Sequence, residues 1–194
     1  GSAASLAFTI DTTPPTTPTT LAKTTPDSNN KPSFTWTAST DATSGIDYYQ
    51  ARMDLGSWSN IGNVTTYTWP TALSDNSHMF ELRAVDKAGN TGSAASLNFR
   101  IDTTPPTIKP TTLTSPNGSE IWAGGSAKTI IWTASDITDA NLETNPITLQ
   151  YTTDGTTWNS IATSQSNNGS YSWTVPSINF ATVKVRITAK DKAG

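Results

Sequence analysis

The opening of this chain occurs twice. Gly1-Ser-Ala-Ala-Ser-Leu-Ala-Phe-Thr-Ile-Asp-Thr-Thr-Pro-Pro15 returns as Gly92-Ser-Ala-Ala-Ser-Leu-Asn-Phe-Arg-Ile-Asp-Thr-Thr-Pro-Pro106, with thirteen of the fifteen positions identical. Repetition at a fixed spacing means one folding unit used more than once. Two shorter echoes set its phase: Phe34-Thr-Trp-Thr-Ala-Ser39 against Ile130-Ile-Trp-Thr-Ala-Ser135, and Asp86-Lys-Ala-Gly89 against Asp191-Lys-Ala-Gly194. The unit is about 90 residues long, and Asp-Thr-Thr-Pro-Pro is the joint between units. The joint residues are Asp11, Pro14 and Pro15 at one place and Asp102, Pro105 and Pro106 at the next. Two successive prolines fix φ and remove N–H donors, which makes each joint short and semi-rigid.

Within the first unit, period-two alternation marks strands at 33–38, 46–53, 58–61, 65–69, 79–85 and 96–101, with an initial strand near Leu21. The second unit repeats the series at 128–134, 147–153, 158–162, 171–175 and 183–189. Helical periodicity is missing almost throughout, and threonine, β-branched and aromatic residues suit half-buried pleated surfaces. The class is all-β. Seven short strands in the first unit, with turn signals between them, fit an immunoglobulin-like or fibronectin-III-like β-sandwich. Cysteine is absent, so each sandwich must be held by its own core rather than by disulfides.

The chain is out of register with its own units. Aligned on the first unit, the second stops at Gly194, where a final strand is due, and residues 1–11 are a spare copy of that strand. The expected inventory is an orphan final strand (1–11), a complete sandwich (12–104) and a sandwich lacking its final strand (105–194). Leu6, Phe8 and Ile10 form the apolar face of the orphan strand. The acceptor groove is assigned to Val185, Ile187 and Ala189 on the last strand, with Trp132 behind them. Moving three large apolar side chains from water into a core is worth roughly 5–9 kcal/mol. The connector from Thr12 to Pro18 reaches at most about 25 Å, so an extended tandem would put the groove beyond the strand's own reach. The expectation is head-to-tail assembly of copies by donor-strand complementation, open-ended because the contact is heterologous. The alternative is that the chain is one period of a longer one, with covalently continuous strands; joining Gly194 directly to Gly1 would omit the Asn90-Thr91 pair.

Asp102-Thr-Thr-Pro-Pro106, Trp36 and Leu82-Arg-Ala-Val-Asp-Lys-Ala-Gly-Asn90 together resemble the bacterial Ig-like and fibronectin-III-like repeats of large surface proteins. The second unit carries Pro116-Asn-Gly-Ser-Glu-Ile-Trp-Ala-Gly-Gly125, Ile131-Trp-Thr133 and Gly169-Ser-Tyr-Ser-Trp-Thr-Val-Pro176. That set is similar to the Ig-like domain shared by microbial secreted proteins and the Kre9/Knh1 type of fungal wall protein. The first unit lacks the Pro-Asn-Gly…Trp element. The resemblance implies a sandwich fold and an extracellular or cell-surface location. It implies no activity.

Other partners are weighed from composition. With 14% charged residues and a net charge of −3, no basic patch stands out for nucleic acid. No run of eighteen apolar residues exists for a membrane helix, and no leader peptide is recognisable, so the sequence is expected to begin at a mature terminus or inside a longer chain. His78 is the only histidine and reads as a rim residue, without the partners a triad or zinc site needs. Of seven tryptophans, Trp36, Trp132, Trp69 and Trp173 read as core, while Trp58, Trp122 and Trp158 are left open for sugar stacking. Asp11, Asp86, Asp102 and Asp191 gather near the joints, where calcium takes oxygen ligands, although Asp beside Thr or Gly is also ordinary turn chemistry. Calcium is the one cofactor left open. Asn63, Asn117 and Asn168 open Asn-X-Ser/Thr triplets, candidate glycosylation acceptors. No paired acid and base or phosphate-cradling loop appears. The expectation is a non-catalytic structural subunit of an extracellular, pilus-like filament. Its rivals are a repeat of an adhesin stalk or a carbohydrate-binding accessory module.

Overall fold

The computed structural model describes residues 3–177, 179 and 182–193. Gly1 and Ser2 of the leading repeat and Gly194 of the second Asp-Lys-Ala-Gly lie outside the described residues. The chain divides into two compact units, Gly1–Thr103 and Thr104–Gly194.

In unit one, seven strands follow the alternation of the sequence: β1 Thr19–Lys23, β2 Ser33–Thr37, β3 Ile46–Met53, β4 Ser59–Gly62, β5 Thr66–Thr68, β6 Asn76–Asp86 and β7 Ala95–Ile101. They form two antiparallel sheets, β1-β2-β5 and β4-β3-β6-β7. Successive side chains point to opposite faces, so Phe34 and Trp36 of β2 meet Tyr49, Ala51 and Met53 of β3 and Phe80, Leu82 and Ala84 of β6 in one core. The Phe34 and Phe80 rings stack with centroids 4.0 Å apart, and Trp36 lies edge-on to Tyr49. The buried Tyr49 hydroxyl accepts from the Ser39 N–H at 2.7 Å. Each large apolar side chain in this core, such as Phe34, Phe80 or Leu82, contributes about 1.5–3 kcal/mol on full burial.

The Asp86-Lys-Ala-Gly89 turn joins β6 to β7. Asp86 Oδ1 accepts from the Ala88 and Asn90 N–H groups, and Gly89 has φ of +90°, a region that favours glycine. Gly92, the first residue of the repeated segment, is required by close approach: a Cβ there would lie 2.6 Å from the Pro15 carbonyl oxygen.

Unit two contains β8 Thr107–Ile108, β9 Leu113–Ser115, β10 Ala127–Trp132, a 3-10 turn at Ala134–Asp136, β11 Ile137–Thr138, β12 Leu142–Thr152, β13 Asn159–Gln165, β14 Ser170–Thr174 and β15 Lys184–Asp191. Its sheets are β9-β10-β14, the small pair β8-β11, and β13-β12-β15. Ile130, Trp132, Ile147, Leu149 and Trp173 centre its core. Strand for strand, β9, β10, β12, β13, β14 and β15 take the places of β1 to β6. The place that β7 holds beside β6 has no counterpart beside β15 among the described residues.

The structure departs from the sequence expectation in three details. β12 starts at Leu142 rather than Ile147; Pro146 has no N–H to give, and the pairing with β15 breaks register between Leu142 and Ile147. β6 starts at Asn76 rather than Met79, which puts His78 inside the strand. The β8–β11 pair was not anticipated, because two-residue strands carry no periodicity to read.

Candidate strand-acceptor site

The repeated segment exists in two environments. As β7, it pairs antiparallel with β6, with Leu97 opposite Phe80, Phe99 opposite His78 and Ile101 opposite Asn76. The Phe99 ring lies edge-on to Phe34 at 5.3 Å, and Ile101 has no exposed surface. In the leading copy, residues 3–10 are in no strand and are exposed throughout; Leu6 is 96%, Phe8 84% and Ile10 74% accessible. The joint after this copy is tied down: Pro15 and Pro18 are buried, the Thr16 N–H donates to the Thr40 carbonyl, and the Asn90 amide donates to the Asp11 carbonyl. The apolar row therefore projects from an anchored joint.

In unit two, β15 pairs with β12 along one edge only among the described residues. Beside it opens a cavity of about 210 Å³ whose wall includes Val183, Val185, Tyr151, Trp173, Trp122 and Ile121. Aromatic rings frame it: Tyr151 and Trp122 approach Trp173 at 5.3 and 6.3 Å. Ile121 at the lip is almost fully exposed. The loop carrying Ile121 and Trp122 is held by Glu120, whose carboxylate accepts from the Asn117 and Gly118 N–H groups and the Ser115 hydroxyl. Burial opposes the Glu120 charge, but these donors outweigh it and hold its carboxyl below the ordinary glutamate range.

Of the four residues assigned to the groove from sequence, Val185 lines the cavity and Trp132, Ile187 and Ala189 do not. Ile187 and Ala189 pack half-buried against the core. Trp132 is buried in β10, its Nε1 donating to Asn167 Oδ1 at 2.8 Å. The sequence reading missed Val183, Tyr151, Trp122 and Trp173 as walls. Their apolar or aromatic character was visible, but not the end of the sandwich at which they meet.

The remaining candidates occupy ordinary structural places. Asp11, Asp41 and Asp86 each bring a carboxylate oxygen within 4.8 Å of the others. Together these three could hold a cation, with Asp11 Oδ2 buried and unpartnered. Asp102 Oδ2 lies 3.6 Å from Arg100 Nε, and Asp191 Oδ1 accepts from the Ala193 N–H. Pro105 is in the exposed stretch after Asp102 and Pro106 is half-buried, while Pro14 is exposed. Trp58 already carries the guanidinium groups of Arg52 and Arg83 at 4.5 and 4.1 Å, and Trp158 that of Arg186 at 4.1 Å. Asn63, Asn117 and Asn168 are exposed. His78 sits between Asp54 Oδ2, 2.7 Å from Nδ1, and the Ser74 carbonyl, 2.9 Å from Nε2. Both partners are acceptors, so both ring nitrogens donate and the ring is held as imidazolium. Burial works most strongly against that charge, but the bonds to Asp54 and the Ser74 carbonyl and the Asp54 charge together outweigh it and raise the His78 pKa.

Residues 16–103 match the family model of the bacterial Ig-like domain. No curated protein matches the chain. Among solved structures, the chain is similar to the central fibronectin-III array of RIM-binding protein, at 16% identity and TM-score 0.36 over 94% of this chain and 60% of that one. It is also similar to the fibronectin(III)-like modules of Clostridium thermocellum CbhA (14% identity, TM-score 0.48, 82% of this chain and 76% of that one). A third likeness is to chitinase ChiA74 from Bacillus thuringiensis (22% identity, TM-score 0.41, 95% of this chain and 28% of that one). The chain thus spans less than two thirds of the first and the third, and on scores below 0.5 no property of those proteins transfers to it. Residues 16–103 are thus similar to the bacterial Ig-like domain, and the strand topology of the two units is that of Ig-like, fibronectin-III-like sandwiches.

Proposed function

We propose that this protein is a non-catalytic structural subunit of an extracellular surface fibre, joined head to tail when residues 1–11 of one copy complete the last sandwich of the next. One observation carries the reading. The sequence that packs as β7 against the core of unit one is exposed in residues 3–10, while the edge of β15 has no neighbour among the described residues. An unpaired edge is a template for a further strand, and main-chain ladder bonds with alternate side chains in pockets are how strand addition gains affinity and selectivity. The partners are other copies of the chain; nucleic acid and membrane insertion play no part in this reading. Among the described residues, no helix is long and apolar enough to cross a membrane.

The test is the state of association in native buffer. Sedimentation and negative-stain images are expected to show concentration-dependent oligomers or filaments. Deleting residues 1–11 should abolish them while unit one stays folded. A folded monomer of the intact chain at micromolar concentration refutes the proposal, and is also the result if later residues of a longer chain fill the place.

A further inference from the structure

We infer that Phe8 is the anchor of the junction, its ring entering the cavity between Trp122, Tyr151 and Trp173 of a second copy, in the register Leu6 opposite Val185 and Phe8 opposite Val183. This deepens the strand-donation reading and rests on it.

The register comes from two repeats read together. Asp86 and Asp191 open the same Asp-Lys-Ala-Gly turn, so Phe80 corresponds to Val185 and His78 to Val183. Gly92 and Gly1 open the same segment, so Leu97 corresponds to Leu6 and Phe99 to Phe8. The observed pairs Leu97–Phe80 and Phe99–His78 then become Leu6–Val185 and Phe8–Val183. Both of these valines line the cavity. The partner of Ile10 in this register is Ala181, which lies outside the described residues.

The volume fits. In unit one the corresponding space is filled by the stacked Phe34 and Phe80 rings with Phe99 against them. In unit two Ile130 stands where Phe34 does, and Val185 where Phe80 does. The Phe80 ring is thus missing from the wall that Val185 lines, and about 210 Å³ remains open there. A cavity of about 150 Å³ has room for a benzene ring, so the volume here has room for one phenyl ring. Ile121, exposed at the lip, is placed to close over it.

The full chain carries both halves of the test, and the absence of cysteine makes it clean. In the inferred register Ala7 faces Lys184 across the strands, as Asn98 faces Met79. Directly opposed strand residues have Cα atoms about 4.5–5.5 Å apart, inside the disulfide window. Ala7→Cys with Lys184→Cys is expected to give a ladder of disulfide-linked oligomers on a non-reducing gel, whereas Ala7→Cys with Arg186→Cys, two residues out of register, is not. Phe8→Ala should raise the concentration needed for assembly by at least ~100-fold, and Thr9→Ala, on the other face of the strand, by less than ~3-fold. A wild-type chain that assembles while the Lys184 pair fails to cross-link, the Arg186 pair cross-links instead, or Phe8→Ala assembles normally overturns the anchor and register but leaves strand donation standing. A cross-link confined to single chains overturns the second copy as occupant. A wild-type chain that stays monomeric overturns both.

Discussion

Ile10 and Ile101 lie in the same local sequence, Ile-Asp-Thr-Thr-Pro-Pro, yet one is 74% exposed and the other fully buried. Substituting each by alanine separates the two roles of the repeat within one molecule. Ile101→Ala removes packed methyl groups from unit one and should cost about 2–5 kcal/mol. For a domain of this size each kcal/mol lowers Tm by about 4–8 °C, so the unit-one transition should fall by on the order of 10–30 °C, independently of protein concentration. Ile10→Ala removes nothing from that core and should leave the same transition within about 0.5 kcal/mol. Its cost belongs to association: burying the side chain is worth about 1.5–3 kcal/mol. At about 1.4 kcal/mol per factor of ten, assembly should need a ~10–100-fold higher concentration. Calorimetry at two protein concentrations reads the first effect and sedimentation velocity the second. If Ile10→Ala lowers the unit-one transition nearly as far as Ile101→Ala, the leading segment packs on its own unit. If it leaves assembly unchanged, the segment is not a donor.

Unit one carries two further expected outcomes. His78 has a raised pKa in the folded state, so its contribution is fully present below the unfolded value near 6.5 and is lost as pH rises through the folded pKa. The Tm of unit one should therefore decline over that interval, and His78→Gln should flatten the decline; an unchanged slope refutes the imidazolium assignment. Tyr49→Phe deletes the acceptor of the buried Ser39 N–H and should cost about 1–3 kcal/mol in urea unfolding, whereas a neutral result would mean that another group satisfies that donor.

Much of the fold was legible because strand alternation and the repeat are local properties of the sequence. Phe34, Trp36, Phe80 and Ile101 fall inward by period two alone, and the equivalence of Ile10 with Ile101 needs only the alignment. The site was less legible because it depends on where distant segments meet. Period two places Trp132, Ile187 and Ala189 on the inner face, but cannot say that the opening lies at the Val183–Val185 end, under a loop fixed by Glu120. Nor does a lone histidine reveal its partner. Asp54 and Leu55 adopt φ of 51° and 60° at the β3–β4 turn, and that backbone brings the Asp54 carboxylate to His78 and the Met79 N–H. Asp41 joins Asp11 and Asp86 for a similar reason: its loop closes on itself, Asp41 Oδ1 accepting from the Thr43, Ser44 and Gly45 N–H groups.

A donated strand must still choose one edge among several, and backbone regularity narrows the choice to β15 and the seven-residue β7. β1 is irregular between Thr19 and Ala22, with Thr20 at φ 50°; β4 has four residues, β5 and β9 have three each. β13 meets β12 with two register shifts and has Ser164 at φ 53°. Bulges and left-handed residues twist an edge away from a straight partner. β14 is regular but runs for five residues. β15 runs for eight, and from Lys184 to Ala189 it pairs with β12 without a shift. Of these edges it alone combines that length with a cavity lined by its own first valine, which is what a strand carrying Leu6 and Phe8 on one face requires. Ladder bonds alone would let the segment stick to any edge. In the proposed assembly, the coincidence of a long straight edge with an aromatic-walled cavity is what would direct the donated strand to β15, with each copy giver at one end and taker at the other.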